Sequence, residues 1–176
     1  MALPALIELR DQGPIGAVGV GMKQWQVLRD FALHADIDCV LLAGRYTLLE
    51  QGALPLLTRC QERGIGVLLG GVFHSGILAT GARPGARYND APAPPTIAGR
   101  VARIEAICRR FDVALPTATI QFPLAHPAVA SLVLGAVGRD EVASTLCAVD
   151  EPLPPALWEA LRAAGRLDPA APTPAA

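Results

Sequence analysis

Short apolar runs recur along this chain, and each is followed by a stretch in which apolar positions return at helical spacing. The runs IGAVGV (15–20), DCVLLAG (38–44), IGVLLGG (65–71) and SLVLGA (131–136) predict strands. They lack the polar–apolar alternation of a one-faced strand, which suits burial on both faces. LPALIELRDQ (3–12) reads as the end of a helix closed by Gly13. QWQVLRDFALHA (24–35) reads as a helix with Trp25, Val27, Leu28, Phe31 and Ala32 near one face, and 53–62 as a helix stopped by Gly64. A Gly/Pro-rich segment, ATGARPGARYNDAPAPP, leads to a helix over 96–111. LPTATIQFPLAHP (115–127) contains a further short helix with Pro116 in its first turn. RDEVASTLCAV (139–149) has the acidic first turn that suits a helix dipole, and PPALWEALRAAG (154–165) ends on Gly165. DPAAPTPAA (168–176) is expected to be a disordered tail. Strands alternating with amphipathic helices mean a parallel sheet. The fold class is therefore α/β, with about four parallel strands and covering helices. Four strands make an open sheet or half of an eight-stranded barrel, and the spacing leaves both open.

Composition narrows the partners. A chain of 176 residues holds one domain with a sizeable core, and its 52% hydrophobic but 5% aromatic content suits strands covered by Ala/Leu-rich helices. The net charge of −1, with neither sign clustered, gives no basis for a nucleic-acid or membrane-surface partner. Two charge-free stretches, 64–82 and 113–138, carry six Gly and three Pro respectively, so they read as strand–loop and helix–loop pieces rather than membrane spans. MALPALIELRDQG lacks the basic start and long apolar core of a signal peptide, and a cytoplasmic location is expected. Cys39, Cys60, Cys108 and Cys147 are dispersed and read as reduced thiols. His34, His74 and His126 are equally scattered, so no metal site is expected.

In parallel α/β folds the chemistry gathers at the carboxyl ends of the strands. Here those tips are Gly21-Met22-Lys23, Ala43-Gly44-Arg45-Tyr46, Gly70 to Gly76, and Gly135 to Arg139. Glycine at every tip permits close backbone approach to a flat ligand or a phosphate, or simply makes a tight turn. The last tip runs into a helix N-terminus beside Arg139, a phosphate-binding arrangement. GAVGVG is not a Rossmann loop, because its glycines lie within the strand rather than after it. Ser75 has no G-x-S-x-G frame and is no nucleophile candidate.

Taken together, IGAVGVGMKQWQVLRDF, LLAGRYTLLEQGALPLL, RGIGVLLGGVFHSGILATG, YNDAPAP and SLVLGAVGRDEV resemble strands five to eight of an aldo-keto reductase barrel, in order and in spacing. AGRYTLL, SGILATG and APAPP resemble the bacterial branch that includes D-threo-aldose, L-fucose and pyridoxal dehydrogenases. The resemblance spans about Leu3 to Leu167. It implies one domain over 1–167, the C-terminal half of an incomplete (β/α)8 TIM-type barrel. It also implies NAD(P)-dependent oxidoreduction of a sugar or aldehyde. In the family the catalytic Asp, Tyr, Lys and His come from the first half, so no catalytic residue carries over and activity of this chain alone is not expected. A partner chain supplying the first half is implied. The alternative is a non-catalytic half-barrel scaffold that self-associates through its open strand edges.

For the cofactor, NAD or NADP, the resemblance implies three contact segments. Gly21, Met22 and Lys23 correspond to the nicotinamide-amide contact, with Lys23 where the branch usually has Asn. Gly71, Val72, Phe73, His74, Ser75 and Gly76 match the pyrophosphate-side loop, with His74 where Asn is common. Gly135, Ala136, Arg139 and Glu141 match the adenosine-phosphate end. There the family's usual Arg is missing unless Arg139 replaces it, and Thr145 stands for a later Asn.

Overall fold

The structure, a computed structural model, describes residues 2–174. Helix α1 (Ala2–Asp11) precedes three strand–helix units: β1 (Gly19–Met22) with α2 (Trp25–His34), β2 (Cys39–Ala43) with α3 (Leu54–Arg63), and β3 (Gly66–Gly70) with the single-turn α4 (Ile77–Thr80). A hairpin of β4 (Arg87–Tyr88) and β5 (Ala91–Pro92) follows, then α5 (Pro95–Arg110) and α6 (Leu115–Leu124). The chain ends with β6 (Val129–Val133), α7 (Arg139–Asp150) and α8 (Pro155–Ala163). The main sheet has the order β1-β2-β3-β6, with every pair parallel. This is the expected α/β fold of four parallel strands under covering helices.

Local chemistry explains the helix limits. Proline occupies the first turn of α3, α5, α6 and α8, where its missing N–H costs no hydrogen bond. Gly64 ends α3 at φ 67°, a left-handed conformation that lets its N–H reach the Cys60 and Gln61 carbonyls. The last carbonyls of α2 are met from the neighbouring helix: Arg63 Nη1 donates to Ala32 O at 2.8 Å and to Leu33 O at 3.0 Å. Helix α1 is pinned by Arg10, whose guanidinium reaches Asp36 Oδ2 at 2.6 Å and Asp38 Oδ2 at 3.0 Å.

The core is built from Leu, Val and Ile of the inner strands and of α2, α3 and α5, including Leu28, Val40, Leu42, Leu57, Val67 and Leu69. Through it runs a string of aromatic rings. Tyr46 stacks on Phe122 at 5.4 Å between centroids, and Phe122 lies 6.4 Å from Trp158 of α8. Helix α6 is buried along almost its whole length, its polar Thr117, Thr119 and Gln121 each hydrogen-bonded within the fold.

Three expectations need correction. The first strand begins at Gly19, not Ile15, because its partner β2 opens with Cys39 opposite Gly19. Just before it, the N–H of Val18 is taken by the Asp38 carboxylate at 2.7 Å instead of by a strand. That bond and Arg10 hold the Asp38 carboxyl below its usual range. The last strand runs over 129–133 rather than 131–136. It pairs with β3 through a register shift at Val67/Leu68, and residues from Leu134 leave the sheet. Finally, residues 168–174 are packed rather than disordered. Ala171 is buried, and Arg162 Nη2 donates to Ala171 O at 2.9 Å and Thr173 Oγ1 at 3.0 Å. The last two residues of the expected tail lie outside the described range.

Both outer strands, β1 and β6, keep an unpaired edge among the described residues. Helix α7 buries only Ala148 and leaves Val142 and Leu146 exposed, and Val133 of β6 is exposed as well.

Candidate functional site

Two hollows open where the strands end. The larger, of about 870 Å³, runs from the Gly71–Gly76 turn after β3 to Gly135 after β6 and onto α7 at Glu141. A smaller one of about 170 Å³ lies beside it, lined by Lys23, Gly44, Gly71, His74, Ser75 and Asp90 among others. The larger volume falls within the range of small-molecule and cofactor sites.

The turn between them departs from ordinary backbone. His74, Ser75 and Gly76 follow one another at φ 48°, 54° and 95°, all left-handed. A run of this kind persists only where surrounding contacts hold it, and the contacts are present. Thr47 Oγ1, fully buried, lies 2.8 Å from His74 Nε2. The same oxygen accepts the N–H groups of Leu49 at 3.2 Å and Glu50 at 3.1 Å. Its one proton is therefore left to donate to Nε2, which places the imidazole proton on Nδ1. The Tyr88 ring stacks on His74 at 5.2 Å and its hydroxyl donates to Glu50 Oε1. Glu50 Oε2 pairs with Arg45 at 2.9 Å. Burial pulls the His74 imidazole down to about 4; Glu50 opposes this, while Arg45 and Arg100 reinforce it. At neutral pH His74 is an uncharged latch joining the loops after β2 and β3.

Ser75 ties the same turn to the hairpin. Its hydroxyl donates to Asp90 Oδ1 at 3.1 Å and accepts the Asp90 N–H at 2.9 Å. Lys23 at the β1 tip reaches Asp90 Oδ2 at 3.7 Å. With these bonds made, no acceptor among the described residues meets the N–H groups of Val72, Phe73 or Ser75. Such a turn can hold an anion without a charged side chain. At the other end of the large hollow the chemistry reverses. Glu141 Oε2 accepts the Val137 N–H at 2.8 Å, and Glu151 Oε2 accepts the Thr117 hydroxyl at 3.1 Å.

Of the residues singled out in the sequence, Gly71, Val72, Phe73, His74, Ser75, Gly76, Gly135 and Glu141 share the large hollow, and Lys23 joins the turn at the small one. Gly21, Met22, Ala136 and Arg139 line neither. Sequence reasoning missed Thr47, Glu50 and Tyr88, which hold His74 from distant segments. It also missed Thr117 and Glu151. The available signal was the polar set Thr117, Thr119 and Gln121 inside an otherwise apolar helix. Gln121 Nε2 donates to the Ala148 and Glu151 carbonyls, docking α6 on α7. Among the described residues no group of three or more His, Cys, Asp or Glu could hold a metal ion. No described helix is long and apolar enough to cross a membrane.

Parallel strands in chain order with hollows at their carboxyl ends are the arrangement of part of a (β/α) barrel. Solved structures agree: an aldo-keto reductase of Bacillus halodurans in its holo form superposes with a TM-score of 0.71 at 22% identity, covering 96% of this chain and 56% of that one. Residues 2–166 match the aldo/keto reductase family, and the chain belongs to it. It is 39% identical over 162 residues to a pyridoxal 4-dehydrogenase of Microbacterium luteolum, covering 92% of this chain and 47% of that protein. It is 38% identical over 162 residues to a D-threo-aldose 1-dehydrogenase of a Pseudomonas species, covering 91% and 49%. The chain spans about half the length of these curated relatives.

Proposed function

We propose that this chain is the cofactor-holding half of a cytoplasmic NAD(P)-dependent oxidoreductase acting on a sugar or aldehyde. The observation that carries the reading is the 71–76 turn, which lines a hollow of about 870 Å³ at the strand ends and in which the N–H groups of Val72, Phe73 and Ser75 meet no acceptor among the described residues. The relatives at 38–39% identity are dehydrogenases of pyridoxal and of an aldose, which supports the substrate class. A bound nicotinamide supplies the hydride acceptor or donor. The chain's own part is binding: the Gly71–Gly76 turn receives the diphosphate, and His74, locked by Thr47 and Tyr88, keeps that turn in its left-handed form. Proton transfer is assigned to residues of a first half-barrel outside this chain, so the chain alone binds without turning over. The expected partner is a chain carrying that half, seated against the open edges of β1 and β6.

Titration of the purified chain with NADH and NADPH, followed by ligand fluorescence, tests the binding claim. Saturable binding in the micromolar range is expected for at least one of them. No binding at millimolar cofactor would overturn it.

A further inference from the structure

The main sheet is covered on one face only. Its register sets Gly21, Leu41, Leu68 and Ser131 side by side across the four strands, and Val133 stands on the same face one level up. Val40, Leu42, Val67 and Leu69 point the other way, into the core, and are at most 1% exposed. On the open face Leu41 is 37% and Val133 51% exposed. No charged residue lies in any of the four strands. Both edge strands lack an outer neighbour among the described residues. Each end of the chain order also carries an underused helix. Helix α1 buries none of its residues, and α7 exposes Val142, Leu146 and Val149 along one face.

These vacancies complement one another. All four strands run in one direction, so the free edge of β6 can take β1 of a second copy as a further parallel strand. A two-fold axis along the strands makes that contact twice, and two sheets of four close into the eight strands of a barrel with no edge left. At the level of Gly21 each copy brings Leu41 and Leu68 inward. The closed ring then holds four leucines there, the number of side chains in one layer of a barrel interior. Charge agrees with this pairing. The carboxyl ends of β1 and of the other copy's β6 come side by side, which brings Lys23 toward Asp140 and Glu141 in the first turn of α7. Within its own chain Lys23 meets only Asp90, at 3.7 Å.

We propose that this chain associates with a second copy of itself, β1 of each against β6 of the other, as a closed two-fold barrel. The edges are those assigned above to a first-half chain, so the dimer is how the chain covers them when that chain is absent. Its formation does not depend on the cofactor reading.

Sedimentation velocity of the full chain across the micromolar range is the test, with thermal melts at several protein concentrations beside it. The parent is expected to form a species of two chains and nothing larger, with a Tm that rises with concentration. Leu41→Lys and Val133→Lys change side chains already exposed in the single chain, so each variant still folds. Each is expected to weaken association at least tenfold and to remove the concentration dependence of Tm. Lys23→Glu weakens association several-fold at low salt and less at high salt. Thr58→Lys, exposed on α3 away from both edge strands, leaves the dimer unchanged. A parent that stays monomeric throughout overturns the proposal and leaves the edges to a different chain. Assemblies larger than two overturn the closure. A dimer that survives both Leu41→Lys and Val133→Lys lies on another surface and overturns the assignment.

Discussion

The buried histidine at the hollow makes stability depend on pH in a window where little else titrates. His74 is ordinarily half-protonated at 6.5 and is pulled down to about 4 in the folded chain. Between those values the unfolded chain takes up a proton that the folded one refuses, so stability falls as pH falls. The contribution is complete above about pH 6.5 and is exhausted near the folded value. The gap is worth about 3 kcal/mol in all, of which about 2 kcal/mol is lost between about pH 7.5 and about pH 5. His126, also pulled down by burial, acts in the same direction. The assay is urea denaturation across that range for the parent and for His74→Asn, since Asn tolerates the left-handed backbone at this position better than most residues. The variant is expected to be less stable at neutral pH, because it loses the stacking on Tyr88. Its curve should be flatter by about 2 kcal/mol, retaining only the slope due to His126. Parallel curves for parent and variant would refute the claim that His74 is held neutral by its surroundings.

Gly19 allows no side chain: a Cβ there would stand 2.5 Å from Cys39 Sγ and 2.7 Å from the Cys39 carbonyl oxygen. Gly19→Ala should cost about 1–3 kcal/mol, while Gly135→Ala, which meets open space, should stay within about 0.5 kcal/mol; thermal melts compare them. Cys147 is exposed and lines the large hollow, whereas the buried Cys60 and Cys108 thiols are pushed up to about 11. An aromatic disulfide reagent should therefore modify Cys147 first and Cys60 and Cys108 only on unfolding. Cys147→Ser should remove the fast phase, and saturating dinucleotide should slow it.

The inner strands were legible because their apolar runs coincide with their pairing. Cys39–Ala43 and Gly66–Gly70 fall inside the runs read from sequence, with a strand on each side to fix their limits. The outer strands slipped because an edge strand is bounded by its single neighbour, not by its own hydrophobicity. The β4–β5 hairpin passed unread within a Gly/Pro-rich stretch, although Asn89 and Asp90 at φ 48° and 64° form the kind of turn those residues favour. The packed residues 168–174 carry no apolar pattern beyond Leu167 and Ala171. Their order comes from Arg162, which lies on the preceding helix. At the site, the glycine tips could be read from the chain itself, and Glu141 only through the resemblance to the aldo-keto reductases. Tyr88 over His74 could not, since that contact exists only after the hairpin folds back across the sheet.

The aromatic string bears on how the chain is made. Strand order follows chain order, so β1, β2 and β3 can join one after another as they leave the ribosome, and only β6 waits on a long intervening segment. Tyr46 and Phe122 emerge well before Trp158, which α8 brings to the end of the string. A nascent chain halted short of α8 holds an assembled sheet whose aromatic string still lacks its last ring, Trp158.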